Sequence, residues 1–475
     1  MANVGGVKKG NGDLSKGYIM SKDFETVPKS KGNTLCPMPW NSINLRNNGD
    51  LRICCNTNSY SPQRGIMKKE DGTPYNAGRD DFNVARNAVL LKDVRKTMMK
   101  GDWHPECERC RQEEINGIRS RREYETEDWG LSEERIHEVT EEDGTLDVEK
   151  QNIDFFDIRY GNFCNLKCRM CGPTDSHMWY DDFVKITGRT TYKDTHDRIE
   201  LVQNNKGKWA TDQYDWFKNA DHYWEQFDKY CTTAKKLYIV GGEPLIIAEH
   251  QESLEKLVAS GNASKIQLEY NTNLTMVPNR LVHLWEQFKQ IRIGVSIDGC
   301  NNVFDYQRTP AKFPAVYKHM KTLNDNPTIN LKAWFAFTVT PMNVYHMPEF
   351  MKWKLEESGL DKFNPHHSPR PTITQHMCHS PKYYNIKVLP EKNKQEVVAL
   401  YEEYKDWVNA SDHPEKTKKH FCTVLDSTVR FMLSEDYSEE WSPEFVKITN
   451  ALDETRDQNI LDIVPQYKDL FKKNA

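Results

Sequence analysis

Tyr160-Gly-Asn-Phe-Cys-Asn-Leu-Lys-Cys-Arg-Met-Cys-Gly172 follows directly on a strand-like apolar stretch, Ile153 to Arg159. Its three cysteines, Cys164, Cys168 and Cys171, stand in C-x3-C-x2-C spacing. A [4Fe-4S] cluster ordinarily takes four thiolates, so a three-cysteine loop leaves one iron open to a small molecule with amino and carboxylate donors. Zinc with a remote fourth ligand, or unrelated core thiols, are the competing readings of the same spacing. The context of the loop decides between them.

From Ile153 onward, short apolar runs alternate with helical segments. The pattern predicts strands at 153–159, 236–240, 265–270, 291–297 and 331–339, with a sixth near 361–367. Helices are expected at 248–259, 278–288, 313–325 and 346–357. Six such β-α units imply an α/β fold with a parallel sheet and helices outside it, either an open barrel or a doubly wound sheet. Residues 172–235 are too long for one crossover and read as an insertion. Its aromatic residues, Trp179, Trp209, Trp216, Tyr223 and Trp224, are expected to cover part of one barrel mouth.

Working residues of a parallel β/α barrel sit at the carboxyl ends of its strands. The second strand ends in Gly241-Gly242-Glu243-Pro244, where two glycines let backbone approach a ligand and a carboxylate can accept from an ammonium group. The third ends in Asn271-Thr-Asn273, and the fourth in Ser296-Ile-Asp298-Gly299 with Asp305 and Arg308 downstream. The fifth ends in Thr338-Val-Thr340-Pro-Met-Asn343. Each of these alone is also compatible with an ordinary strand-ending turn.

Together the cysteine loop and the ordered strand ends resemble the radical S-adenosylmethionine (SAM) enzymes, over about residues 153–390. The resemblance implies a partial (β/α)6 TIM-like barrel, with SAM held on the open iron. It assigns Gly241, Gly242, Glu243 and Pro244 to the methionine amino group, and Asn271 and Asn273 to ribose or carboxylate. Ser296, Asp298 and Arg308 fall to the carboxylate and ribose, and Thr340 to backbone contacts with adenine. Met170 replaces the aromatic residue that often precedes the third cysteine, and remains apolar and polarizable enough to lie near adenine. The implied chemistry is reductive cleavage of SAM to a 5'-deoxyadenosyl radical that abstracts hydrogen from a substrate.

A second constellation precedes the barrel: Cys36-Pro-Met-Pro-Trp40, Gly49-x4-Cys54, and Cys107-x2-Cys110. Four such cysteines can close a complete cluster coordination sphere, and all-cysteine sites also suit zinc. The pattern resembles the twitch or SPASM auxiliary-cluster domain, which in better-known members follows the barrel. Gly-x4-Cys spacing favours Cys54 over its neighbour Cys55 as the ligand. The segment Ser42 to Cys54 alternates polar and apolar residues around Asn47-Asn-Gly-Asp50 and reads as a β-hairpin. Helical stretches follow at 84–100 and 112–124. Cys231, Cys300 and Cys422 read as packed or incidental thiols, while His366-His367 and His376-Met-Cys-His379 lie near the expected substrate entrance.

The domain reading is a flexible leader at 1–34, the auxiliary-cluster domain at 35–125, an acidic linker at 126–150, the barrel at 151–390 and a helical extension at 391–475. Positive and negative residues are interspersed at a net charge of -5, which gives no general argument for a nucleic-acid partner. No apolar run reaches the roughly 18 residues of a membrane span. Seven of the 12 cysteines fall in the short-range clusters 54/55, 107/110 and 164/168/171, which suits metal ligation in a reducing, cytoplasmic compartment better than disulfides. By resemblance the implied partners are a flavodoxin or ferredoxin electron donor and a peptide or protein side chain as substrate, with a sugar or nucleotide as runner-up. A non-catalytic zinc or iron-sulfur interaction protein is the reading from another class. The overall arrangement also resembles radical SAM proteins of large bacteriophages.

Overall fold

The computed structural model describes residues 34–58, 61–193, 197–218, 220–363 and 372–472. The expected leader, apart from Thr34, and the His366-His367 pair lie outside the described residues.

One mixed sheet of eight strands organises the chain. In chain order these are β1 (Ser42–Leu45), β2 (Leu51–Arg52), β3 (Phe155–Arg159), β4 (Lys236–Val240), β5 (Gln267–Thr272), β6 (Gln290–Ser296), β7 (Leu331–Val339) and β8 (Ile373–Met377). Their spatial order is β8-β7-β6-β5-β4-β3-β1-β2. All neighbours are parallel except the β1–β2 hairpin. The α/β partial barrel is thus present, its six strands β3 to β8 running in order with helices between consecutive members. Its amino-terminal neighbour is no separate layer, because β1 pairs with β3 and extends the same sheet.

Alternation along the strands sorts their side chains. Leu237, Ile239, Leu268, Tyr270, Ile291, Ile293, Phe335 and Phe337 form the outer, fully buried row. Helices Ala248–Ala259, Asn279–Trp285, Phe313–Asp325 and Met347–Lys352 contribute Leu254, Trp285, Met320 and Phe350 to the same core. The opposite face carries charge at its lower end. Lys236 meets Glu125 at 3.1 Å and Glu269 at 2.9 Å, and Arg292 meets Asp128 at 2.7 Å and Glu269 at 3.3 Å. Glu125 and Asp128 come from helix Arg121–Trp129, which therefore plugs the charged end of the barrel. Buried ions of this kind require mutual pairing to be tolerated.

Three sequence expectations need correction, the first being the single helix at 112–124, which is two, Glu108–Ile115 and Arg121–Trp129, the second started afresh by the Ser120 cap. The sixth strand lies at Ile373–Met377, while Asp361–Phe363 forms a single 3-10 turn. The acidic stretch 126–150 is packed, since Ile136, Val139 and Leu146 are buried and Trp40 Nε1 donates to Thr140 Oγ1 at 2.7 Å. Its charges misled the reading because several of them face cations. Helices Glu391–Ala410, Glu415–Leu433 and Ser438–Arg456 follow the barrel and pack on its later strands. Among the described residues no helix is long and apolar enough to cross a membrane.

Candidate functional site

The loop after β3 is fixed from several directions. Phe163 O accepts from Glu243 N at 2.8 Å, and Cys164 N donates to His177 Nδ1 at 3.2 Å. Lys167 N and Arg169 N donate to Thr309 O and Gln307 O, each at 2.8 Å. Trp179 Nε1 donates to Cys168 O at 2.9 Å, so the aromatic insertion holds the loop as well. Arg169 is completely buried: its guanidinium pairs with Asp453, donates to Gln458 Oε1 at 2.9 Å and stacks 3.7 Å from the Tyr306 ring centroid.

Cys164, Cys168 and Cys171 are brought together with Leu166, Met170 and Ala311 in one small cluster. Asn273 Nδ2 reaches the Cys164 sulfur at 3.9 Å, and Arg308 Nη1 reaches that of Cys168 at 3.7 Å. Burial, then the neighbouring Cys168, pushes the Cys164 thiol up to about 12. Cys168 is held below its ordinary value by a hydrogen bond from Cys171 and by Arg308, and Cys171 is pushed well above. Two thiols held protonated beside a third that is poised to ionise are a donor set suited to a positive metal centre, which would deprotonate them together. Among the described residues, no group of three or more His, Cys, Asp or Glu side chains is arranged to hold a single metal ion.

Gly241 and Gly242 both have positive φ. At Gly242 a Cβ would lie 2.1 Å from Phe163 O, so only glycine lets the cysteine loop close on the end of β4. Glu243 is buried and turned into the scaffold, accepting from Thr272 Oγ1 at 2.6 Å, Asn273 N at 2.7 Å and Leu245 N at 3.1 Å. Burial raises its carboxyl from 4.5 to about 7 against those hydrogen bonds. Pro244 begins a 3-10 turn, Pro244–Ile246. Asp298 accepts from Thr338 N at 2.8 Å and pairs with Arg308 at 2.7 Å. Thr340 is fully buried and its hydroxyl donates to Gln307 Oε1 at 3.3 Å, which places it in the support of the loop after β7. Ser296 ends β6 half-buried.

Met170 and Asn271 line a cavity of about 720 Å³. Tyr238, Trp334 and Thr338 of the barrel share its wall with Cys55 and Arg109 of the amino-terminal module. His376 of β8 lines it together with Cys378 and His379 just beyond that strand. His379 is held down at about 3 by burial and by Arg109 and Lys387.

Cys36, Cys54, Cys107 and Cys110 line a separate small pocket with Met38, Trp103 and Arg122. Burial pushes Cys36 and Cys110 up to about 12, and Cys54 and Cys107 well above their ordinary value. Cys54 therefore joins the other three thiols, whereas Cys55 faces the large cavity. Cys231 and Cys300 are buried elsewhere and Cys422 is half-buried.

Sequence reading missed the supporting shell of His177, Arg169 and Asp453, and named Trp179 only as part of an aromatic cover. It also missed the inward row Lys236, Tyr238, Glu269 and Arg292, of whose neighbours it had singled out Asn271 alone. Polar residues at every second position of otherwise apolar strands are the local signal for the latter.

Residues 158–328 match the family model described as Radical SAM superfamily. Comparison with curated proteins returned no match. Among solved structures the chain is similar to native anSMEcpe with bound AdoMet, at 16% identity over 54% of this chain and 62% of that one, with a TM-score of 0.35. It is also similar to Streptococcus suis SuiB, at 14% identity over 77% of this chain and 68% of that one, with a TM-score of 0.33. The SuiB structure bound to S-adenosylmethionine aligns over 55% of this chain and 46% of that one, at 14% identity and a TM-score of 0.30. The chain thus spans about three fifths of the length of the anSMEcpe chain.

Proposed function

We propose that this chain is a radical SAM enzyme whose [4Fe-4S] cluster is held by Cys164, Cys168 and Cys171, with a second, fully ligated cluster on Cys36, Cys54, Cys107 and Cys110. The observation that carries the reading is the convergence of the three loop thiols, with Asn273 and Arg308 donating to two of their sulfurs. When bound and reduced, such a cluster with SAM supplies a 5'-deoxyadenosyl radical for hydrogen abstraction.

The chain's own residues have more modest tasks. Arg308 sets a positive charge against Cys168 and is itself held by Asp298. Glu243 ties the end of β4 to the end of β5, keeping the strand-end backbone in register with the loop. Met170, Asn271 and the cavity wall orient a substrate and keep water from the reacting centre. We assign the substrate to a peptide or protein side chain, with the electron drawn from a flavodoxin or ferredoxin in the cytoplasm.

Anaerobic reconstitution tests the reading. About eight irons per chain and dithionite-dependent formation of 5'-deoxyadenosine are expected, and Ala at Cys164, Cys168 or Cys171 should abolish that formation. Tightly bound zinc with no SAM cleavage would sink it.

A further inference from the structure

Two cavities meet at Cys55, Arg109 and Arg159, which line both the 720 Å³ cavity and an adjoining one of about 170 Å³. Arg121 joins them in the larger cavity. All three guanidiniums lie within electrostatic reach of the Cys55 sulfur, and each comes from a different part of the fold. Arg109 belongs to helix Glu108–Ile115, Arg121 to the plug helix Arg121–Trp129 and Arg159 to the carboxyl end of β3.

Charge in this region is asymmetric. Six cationic side chains line the larger cavity, Arg109, Arg119, Arg121, Arg159, Lys382 and Lys387, against three carboxylates, Glu108, Glu113 and Glu435. Each of those carboxylates is already held, Glu108 by Arg111 at 3.1 Å, Glu113 by Arg109 at 3.2 Å and Glu435 by Lys387 at 2.7 Å. The counter-ions of Arg121 and Arg159 sit outside the cavity wall: Glu125 at 2.7 Å from Arg121 Nε, and Asp157 at 3.3 Å from Arg159 Nε. Both guanidinium-bearing residues line the cavity, Arg121 with Glu269 at 3.8 Å from Nη1 and with Nη2 buried and without a hydrogen-bond acceptor. A guanidinium stacked 4.6 Å from the Tyr238 centroid keeps its in-plane N–H groups available for an acceptor.

We propose that Arg109, Arg121 and Arg159 form an oxyanion subsite beside Cys55, which receives a carboxylate or phosphate group of the substrate. Planar guanidiniums match both groups bidentately. The subsite rests on the proposed function in that it narrows the substrate to one bearing an anionic group. It names no bond to be attacked and needs no reaction step.

Equilibrium dialysis of the reconstituted holoenzyme tests it, with labelled inorganic phosphate and labelled glutarate as separate probes and SAM cleavage measured on the same samples. Saturable binding of about one anion per chain is expected, weakened by about tenfold or more in Arg121→Gln and Arg159→Gln, since a charge-assisted hydrogen bond is lost in each. Binding of phosphate alone would point to a phosphorylated substrate, binding of glutarate alone to a carboxylate, and either outcome supports the subsite. Absence of saturable binding of both anions to the wild-type protein overturns it, as does undiminished binding in both variants. Melting temperature and iron content establish that the variants are folded. Failure of SAM cleavage with anion binding intact would instead count against the enzymatic reading.

Discussion

Arg169 and Asp453, 284 residues apart in sequence, form a buried ion pair that joins the cysteine loop to the last long helix. Arg169 stands between Cys168 and Met170, and Asp453 also accepts from Tyr306 OH at 2.8 Å and Ile460 N at 2.8 Å. Three parts of the fold meet there: the loop that carries the thiols, the helix beside it and the chain's carboxyl-terminal extension. Asp453→Ala would leave Arg169 buried without its carboxylate. A loss of about 3–5 kcal/mol in denaturant unfolding is expected, with faster amide hydrogen exchange across 164–171. Unchanged exchange in that loop would show that the extension does not hold it.

Arg308 and Asp298 should behave as a coupled pair, because each is buried and they meet at 2.7 Å. Arg308→Gln and Asp298→Asn are each expected to destabilise, and the double variant to cost less than the sum by roughly 1.5–3 kcal/mol. Additive costs in the double-mutant cycle would contradict the pairing.

Gly242→Ala places a methyl group against Phe163 O, at a position with φ of 55°. Roughly 1–3 kcal/mol of strain is expected, together with a marked fall in 5'-deoxyadenosine formation, since the displaced backbone belongs to the cysteine loop. Gly261→Ala serves as the control: its φ is 76° but nothing lies within 4 Å of the added carbon. Equal losses of cleavage in the two variants would refute a specific role for Gly242.

Glu243 makes a pH prediction. Its carboxyl is raised from 4.5 to about 7 in the folded state, chiefly by burial, so the native protein binds more protons than the unfolded chain between those values. Stability from this group is therefore fully retained below about pH 4.5 and declines as pH rises toward 7, by roughly 1–3 kcal/mol. Melting temperatures of wild type and Glu243→Gln, compared from pH 5 to 8, should show the wild type losing ground with rising pH relative to the variant. A constant difference across that range would rule the titration out.

Lys236→Met removes the cation shared by Glu125 and Glu269. A loss of about 3–5 kcal/mol is expected because two buried carboxylates lose a partner, while Arg121 and Arg292 remain. Restoration by Lys236→Met combined with Glu125→Leu would identify uncompensated charge, rather than lost packing, as the cause; no restoration would contradict that.

Local pattern made most of the barrel legible. Lys236-Leu-Tyr-Ile-Val240 and Leu331 to Val339 carry enough apolar and aromatic residues to announce strands, and the structure gives them the same bounds. Ile373-Thr-Gln-His-Met377 does not, because Gln375 and Thr374 are buried polar residues; Gln375 is held by Ser427 at 2.7 Å from a distant helix. Acidic residues 126–150 read as solvated since nothing local tells that Asp128 will face Arg292. The cysteine spacing and Gly-Gly-Glu-Pro announced the candidate site, as motifs do when a tight turn and its side chains lie close in sequence. Arg169 and Asp453 left no such trace: each is an ordinary charged residue until the fold brings them together.

The pairing of β1 with β3 makes the molecule poor material for dissection. A barrel excised at residue 151 would expose the hydrogen-bonding edge of β3, the strand that leads into the cysteine loop, and would strip Lys236 and Arg292 of Glu125 and Asp128. Such a fragment presents a bare strand edge and two interior cations left to share Glu269, a recipe for aggregation in a bacterial expression host. Chimeras that exchange the amino-terminal module must therefore carry the plug helix and the hairpin together with it, as one inheritance unit.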